Sequence, residues 1–165
     1  MRAMGIRLAS VFLMVAATAT AQQSAPSASA QTMKTFASSS DVKALIAKAK
    51  SERKDGQPLV AEPLLVLPPY TAHLEYRASV GNAAVHEKEA ELFYVIEGTA
   101  TMVTGGTLAG QRRTDATNLT GTSIQGGSSR TVAKGDFIIV PENTPHWFSK
   151  INGAIVLMTL HVPSA

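Results

Sequence analysis

The chain has 165 residues, 45% of them hydrophobic, with 15 basic and 12 acidic side chains and no cysteine. That is enough for one domain with a sizeable core, and it excludes a disulfide framework and thiol chemistry. No basic stripe with interleaved aromatics accompanies the small positive balance, so nucleic-acid binding is not expected.

Arg2 and Arg7 open the chain without an acid, Leu8–Ala17 is almost wholly apolar, and Ala19-Thr20-Ala21 precedes Gln22. This is the pattern of a cleavable secretory signal over residues 1–21, with Ala28-Ser29-Ala30 as a second cleavage position. The apolar run is far shorter than the roughly 20 residues that span a bilayer, so no stable membrane anchor is expected after cleavage. Without Arg2 and Arg7 the balance falls to 13 basic against 12 acidic residues. An exported protein, periplasmic or secreted, is expected.

Residues 22–39 are rich in Ala, Ser, Gln and Thr and read as a flexible linker, leaving 40–165 as a single domain. Ser38, Ser39, Ser40 and Asp41 offer N-caps, and Val42, Leu45, Ile46 and Ala49 recur at helical spacing. One short amphipathic helix is expected over about 41–54, stopped by Asp55-Gly56 and serving as a packing cover. The period then changes over about 58–163. Leu64–Leu67, Tyr70–Ala78, Leu92–Ile96, Thr99–Thr104, Thr131–Ala133, Phe137–Val140, Trp147–Lys150 and Ala154–Val162 are strand-like, each bounded by turn residues. The fold class expected is all-β, a sandwich or barrel with one N-terminal helix. Turns are expected at Glu97-Gly98, Gly105-Gly106 and Lys134-Gly135-Asp136, and Asn152-Gly153 carries the strongest hairpin signal. Leu108–Arg130 reads as a large polar loop with one further strand around Thr122–Gln125. Within it, Asn118-Leu119-Thr120 has the form of a glycosylation sequon, to which no weight is given.

Two stretches carry chemistry. In Val85–Gly98 (VHEKEAELFYVIEG), His86 precedes a charged turn and Glu91 opens a strand; in Gly135–His146 (GDFIIVPENTPH), His146 follows a tight turn. Residues five apart on a flat strand face opposite ways, but a turn between His86 and Glu91 resets that parity. All three side chains then sit at strand ends, where a barrel would have its mouth.

These stretches resemble the two motifs of the cupin superfamily, G-x5-H-x-H-x3,4-E-x6-G and G-x5-P-x-G-x2-H-x3-N. Glu91, six residues and Gly98 match the end of the first. Gly135, Pro141 and His146 match most of the second, with Asn143 at its inner glycine and Lys150 at its terminal Asn. The run HEKEAELFYVIEG…PENTPHWF is similar to exported single-domain bacterial cupins. The resemblance spans roughly Tyr70–Val162 and implies a double-stranded β-helix, or jelly-roll, barrel that forms a homodimer. The first motif departs from the family: with the four-residue spacer its leading histidine position is Ala84, and with the three-residue spacer the two positions are Val85 and Glu87 and His86 is out of frame, so the usual three His and one Glu reduce at most to His86, Glu91 and His146. Such a set can still hold one divalent metal, Mn, Zn, Fe or Ni, with positions open for a small-molecule substrate. An oxidising compartment disfavours reduced iron.

His73, Glu75 and Arg77 share one strand face. A polar stripe opposite an apolar one ordinarily marks the solvent side; if it lines the lumen, His73 completes the site and Arg77 binds a substrate carboxylate. Trp147 beside His146 is a candidate ligand contact. His161 reads as a capping or edge residue on the last strand, and Glu89 as a solvated turn charge. Two functions remain open: a metal-dependent protein acting on a small oxygenated molecule, and a metal-free barrel that binds a ligand or partner.

Overall fold

The computed structural model describes residues 32–164. The expected signal segment and residues 22–31 of the expected linker lie outside them. Within 32–39, Lys34 exchanges two backbone hydrogen bonds with Val66, at 2.9 and 2.8 Å. Helix α1 spans Ser39–Glu52. Ser38 caps it, its hydroxyl accepting from the Asp41 N–H while the Asp41 carboxylate accepts from the Ser38 N–H, a reciprocal box that satisfies two otherwise unpaired donors.

Eleven strands follow: β1 (Leu59–Leu67), β2 (Tyr70–Arg77), β3 (Ala83–His86), β4 (Glu89–Thr104), β5 (Thr107–Ala109), β6 (Arg112–Arg113), β7 (Asn118–Gly121), β8 (Ser123–Gln125), β9 (Ser128–Ala133), β10 (Phe137–Val140) and β11 (His146–Pro163). All pairings are antiparallel. The two long strands, β4 and β11, pair along their whole length and serve both layers. In one layer the order is β1-β2-β11-β4-β10, using the first half of β4 and the second half of β11. In the other it is β6-β7-β3-β11-β4-β9, using the opposite halves. This is the all-β jelly-roll barrel with one helix that the sequence implies.

Two expected turns become something else. Glu97-Gly98 does not end a strand and Asn152-Gly153 does not make a hairpin; β4 and β11 run on through both, with the register shifting between Ile151 and Ile155. Gly98 and Gly153 both have positive φ, 86° and 76°. They form corners where each long strand passes from one layer to the other, a place where extra residues and glycines bend a sheet. Local sequence signals a reversal of backbone curvature there, and only the partner strand decides whether the chain turns back. Leu108–Arg130 is likewise not one loop: it holds β6, β7 and β8 and the start of β9.

The two layers enclose Phe93, Val95, Met102, Phe148, Ile155 and Leu157. A second apolar cluster lies outside the barrel, where Ile46 of α1 packs on Leu64, Leu74 and Val156. Strand β2 is therefore covered on both faces. Its apolar side (Leu74, Tyr76) goes to the helix, and its polar side (Glu75, Arg77) is left to the barrel.

The turn before β11 is tied to the end of β3: the Asn143 N–H donates to the His86 carbonyl at 2.8 Å, with Asn143 at φ 59°. Asn and Gly accept that conformation, whereas a β-branched residue does not. Asn143→Gly is expected to change stability by less than about 1 kcal/mol and Asn143→Val to cost about 2 kcal/mol, read from urea denaturation midpoints. Equal effects would mean that the turn relaxes without strain.

Candidate metal centre

The bend at Glu87-Lys88 separates β3 from β4 and turns His86 and Glu91 to the same side, as the parity argument requires. Glu91 lies on the interior face of β4 in line with Phe93 and Val95. His146, the first residue of β11, pairs with Ala84 of β3 and Thr104 of β4. One ligand atom from each of His86, Glu91 and His146 lies within 4.8 Å of the other two. Glu91 and His146 are 4% and 6% exposed, so the ordinary reading of either as a solvated strand-start residue does not hold.

The Glu91 Oε2 is 2.9 Å from His146 Nε2 and 3.3 Å from His86 Nε2. Those are ion-pair distances, yet this buried oxygen makes no hydrogen bond of good geometry. The reason lies at the far side of each ring. His86 Nδ1 is 2.6 Å from the Asn118 Oδ1, and the Asn118 Nδ2 donates to both carboxylate oxygens of Asp115, at 2.9 and 2.8 Å, which fixes the amide so that Oδ1 faces the histidine. His146 Nδ1 is 3.3 Å from the Thr144 carbonyl. Both partners are acceptors, so each ring carries its proton on Nδ1 and turns the Nε2 lone pair toward Glu91. A carboxylate has only lone pairs to offer in return. In neutral rings electron pairs thus converge on electron pairs, an arrangement that a cation satisfies: a metal ion, or a second proton that makes a ring an imidazolium donating Nε2–H to Glu91. With metal–ligand bonds near 2.1 Å, ligand atoms at right angles are about 3.0 Å apart and tetrahedral ones about 3.4 Å apart, and the two separations here match. The residues fit a divalent metal.

Without a metal, a proton takes the place of that cation. Burial opposes ionisation of both Glu91 and His86. At Glu91 the neighbouring His146 and His86 outweigh it and hold the carboxyl well below its ordinary range. At His86 the contacts with Glu91 and Asn118 outweigh it and raise the imidazole above its ordinary value.

Around the cluster is a cavity of about 320 Å³, whose polar lining includes Glu75, Arg77, Asn82 and His161. Glu75 and Arg77 therefore face the lumen, which corrects the reading of their stripe as the solvent side; α1 takes the apolar face that the barrel would otherwise have claimed. Arg77 Nε donates to Glu75 Oε2 at 2.8 Å, Nη2 lies 2.8 Å from the same oxygen as an ion pair, and the guanidinium lies 4.9 Å from the centre of the Phe148 ring. His73, on the same stripe, is half-buried opposite Pro63 and Thr159, joins neither group of converging ligand atoms, and does not line this cavity. Trp147 donates its indole N–H to the Gly81 carbonyl at 2.8 Å and borders a small recess shared with Arg77 and His146.

Two residues escaped the sequence reading. Asn118 reaches His86 because β7 pairs with β3 in a register that sets the two opposite each other. His161 is no edge residue: β11 places it opposite Glu91, with Nε2 3.6 Å from Glu91 Oε1. Neither carries a local signal, since each depends on a partner far away in the chain. A larger cavity, about 420 Å³, lies between α1 and the outer faces of β1, β4 and β11, lined by Val42, Ile46, Leu64, Tyr94 and Met158. Lys43, Glu97 and Lys134 also border it, but none of them belongs to a group of converging ligand atoms.

The strand order defines a jelly-roll barrel with a His/Glu cluster at its mouth. No protein-family model matches the chain, and no curated protein sequence does. Among solved structures the chain is similar to KdgF from Halomonas sp., at 16% identity and a TM-score of 0.49, covering 68% of this chain and 87% of that one. It is similar also to the Cnp3 cupin domain of Schizosaccharomyces pombe, at 14% identity and a TM-score of 0.47, covering 70% and 72%. Iron(II) HppE is a third, at 15% identity and a TM-score of 0.49, covering 66% of this chain and 53% of that one.

Proposed function

We propose that this chain is an exported, small-molecule-binding cupin that holds one divalent metal through His86, Glu91 and His146. The observation that carries the proposal is the convergence of two imidazole lone pairs on a buried carboxylate that finds no hydrogen bond. A metal bound there supplies Lewis acidity to an oxygen-bearing substrate. The chain's own residues do the rest. Asn118 and Thr144 hold the two imidazoles in the ligating tautomer. Glu75 neutralises Arg77 and fixes its guanidinium beside the cavity, where it can orient a polar substrate oxygen. Mixed nitrogen and oxygen donors suit manganese, zinc, iron or nickel, and export favours manganese or zinc over reduced iron. The homodimer belongs to the same proposal: β10 pairs only with β4, and its Phe137 and Ile139 are 70% and 64% exposed.

The test is elemental analysis of the purified protein after supply of Mn, Zn, Fe and Ni, repeated with His146→Ala. About one equivalent of metal is expected in the wild type and little in the variant. Substoichiometric metal in the wild type would leave a metal-free binding barrel. Metal that survives His146→Ala would place the site elsewhere.

A further inference from the structure

His161 belongs to neither motif, yet it enters the cluster from the opposite side of Glu91. In the β4–β11 ladder, His161 pairs with Glu91 and Pro163 with Glu89, which brings both glutamates alongside the histidine. His161 Nδ1 is 3.0 Å from Glu89 Oε2, and its Nε2 is 3.6 Å from Glu91 Oε1, the oxygen that His86 and His146 do not share. The Glu89 carboxylate can only accept, so the ring proton sits on Nδ1 and the Nε2 lone pair turns toward Glu91. The ring stands edge-on to His86, centroids 4.7 Å apart at 84°. Three imidazoles thus repeat one arrangement. Each Nδ1 is tied to an oxygen acceptor (Asn118, Thr144 or Glu89), and each Nε2 is aimed at Glu91. Oriented carboxylate–histidine pairs of this kind are what hold a metal-ligating ring in place.

We propose that His161 is a third imidazole ligand of the metal held by His86, Glu91 and His146, with Glu89 as the residue that positions it. The proposal rests on the reading that a metal binds at this cluster. It also assigns Glu89 a role behind the ligand rather than on the ion. His161 is not among the atoms that converge within 4.8 Å around Glu91, so ligation requires its ring to move toward the ion. The alternative is a shallower site, since atoms of His86, Glu89 and His161 do lie within 4.8 Å of one another. Burial separates the two: Glu91 is 4% exposed and lacks a hydrogen bond at Oε2, whereas Glu89 is 36% exposed and already engaged by His161. A ligand from the last strand would close one coordination position on the side of the cavity that His161 lines.

Copper(II) serves as the probe. Pulsed EPR of the copper-loaded, otherwise unaltered protein counts coordinated imidazoles by their remote nitrogens; three are expected, and two in His161→Gln. The same substitution is expected to weaken zinc affinity by at least about 100-fold, and Glu89→Gln, which keeps an acceptor oxygen, by no more than about 10-fold. Two imidazoles in the wild type would overturn the proposal while leaving the three-residue metal site intact. Loss of binding in Glu89→Gln with retention in Glu91→Gln would move the ion to the shallower group and overturn it also. Absence of bound metal in the wild type would remove the underlying reading itself, a result distinct from either. The wild-type imidazole count stands on its own should a variant fold poorly.

Discussion

Glu91→Ala is expected to abolish the response of this protein to divalent metal. In the wild type, a metal at 100 times its dissociation constant stabilises the folded state by about 2.7 kcal/mol, because it binds the assembled site and not the unfolded chain. For a domain of this size that is a rise in Tm on the order of 10 °C. Glu91 is the residue on which His86, His146 and His161 all converge, so its loss removes the shared centre rather than one arm. The metal-free proteins should differ in the opposite sense. Without a metal the buried carboxylate depends on protonation of the rings around it, which is lost as pH rises, so at alkaline pH Glu91→Gln, which keeps the shape and can donate, should leave the metal-free protein at least as stable as wild type. Thermal scans with and without zinc or manganese test both halves. A metal-dependent rise in Tm that survives in Glu91→Ala would separate the carboxylate from the site. A large loss of stability in metal-free Glu91→Gln would mean that Glu91 is a structural acceptor instead.

Gly98→Ala is expected to carry a large loss of stability. Gly98 sits at φ 86° in the corner of β4, and a Cβ built on it would overlap the backbone carbonyl of Ala154 in β11. The two corners are stacked across the central ladder, so neither can give without disturbing the pairing of β4 with β11. The left-handed backbone costs about 1–2 kcal/mol for a non-glycine residue, and a backbone overlap that must be relieved adds more. A loss of about 3 kcal/mol or more is expected, a large share of the roughly 5–15 kcal/mol that holds a domain together. Gly135 is the control. Its φ is 95°, but nothing lies within 4 Å of an added Cβ, so Gly135→Ala should show only the conformational part. Urea denaturation of the two variants separates close approach from backbone strain. Equal losses would mean that the corner accommodates a side chain.

These two residues also mark what was legible in the sequence. Glu91 and Gly98 stand at a spacing that the cupin resemblance makes meaningful, and the structure gives each a physical reason, one as the centre of a donor cluster and the other as a corner without room for a Cβ. His146 was legible in the same way, because a turn built from Asn143-Thr144-Pro145 has to deliver it to a strand start. Alternation of apolar and polar residues was enough for an all-β fold, and candidate N-caps before a four-residue apolar face were enough for one helix. These are local properties, set by the period of the backbone and the chemistry of its turns.

What pairs with what is not local. The sequence around Asn152-Gly153 fits a hairpin, and only the continued ladder with β4 turns it into a corner. The stripe His73-Glu75-Arg77 looks like a solvent face until α1 covers the other side of β2 and leaves Glu75 and Arg77 to the lumen. Asn118 becomes the partner of His86 through the register of β3 with β7, and His161 reaches Glu91 through the register of β4 with β11. By itself, then, the sequence determined the class of fold and three residues at the mouth of the barrel. Tertiary structure alone decided the hydrogen-bond partner of each imidazole and the entry of His161. Hydrogen bonds and lone pairs meet across strands that are distant in the chain, and no local period encodes that meeting.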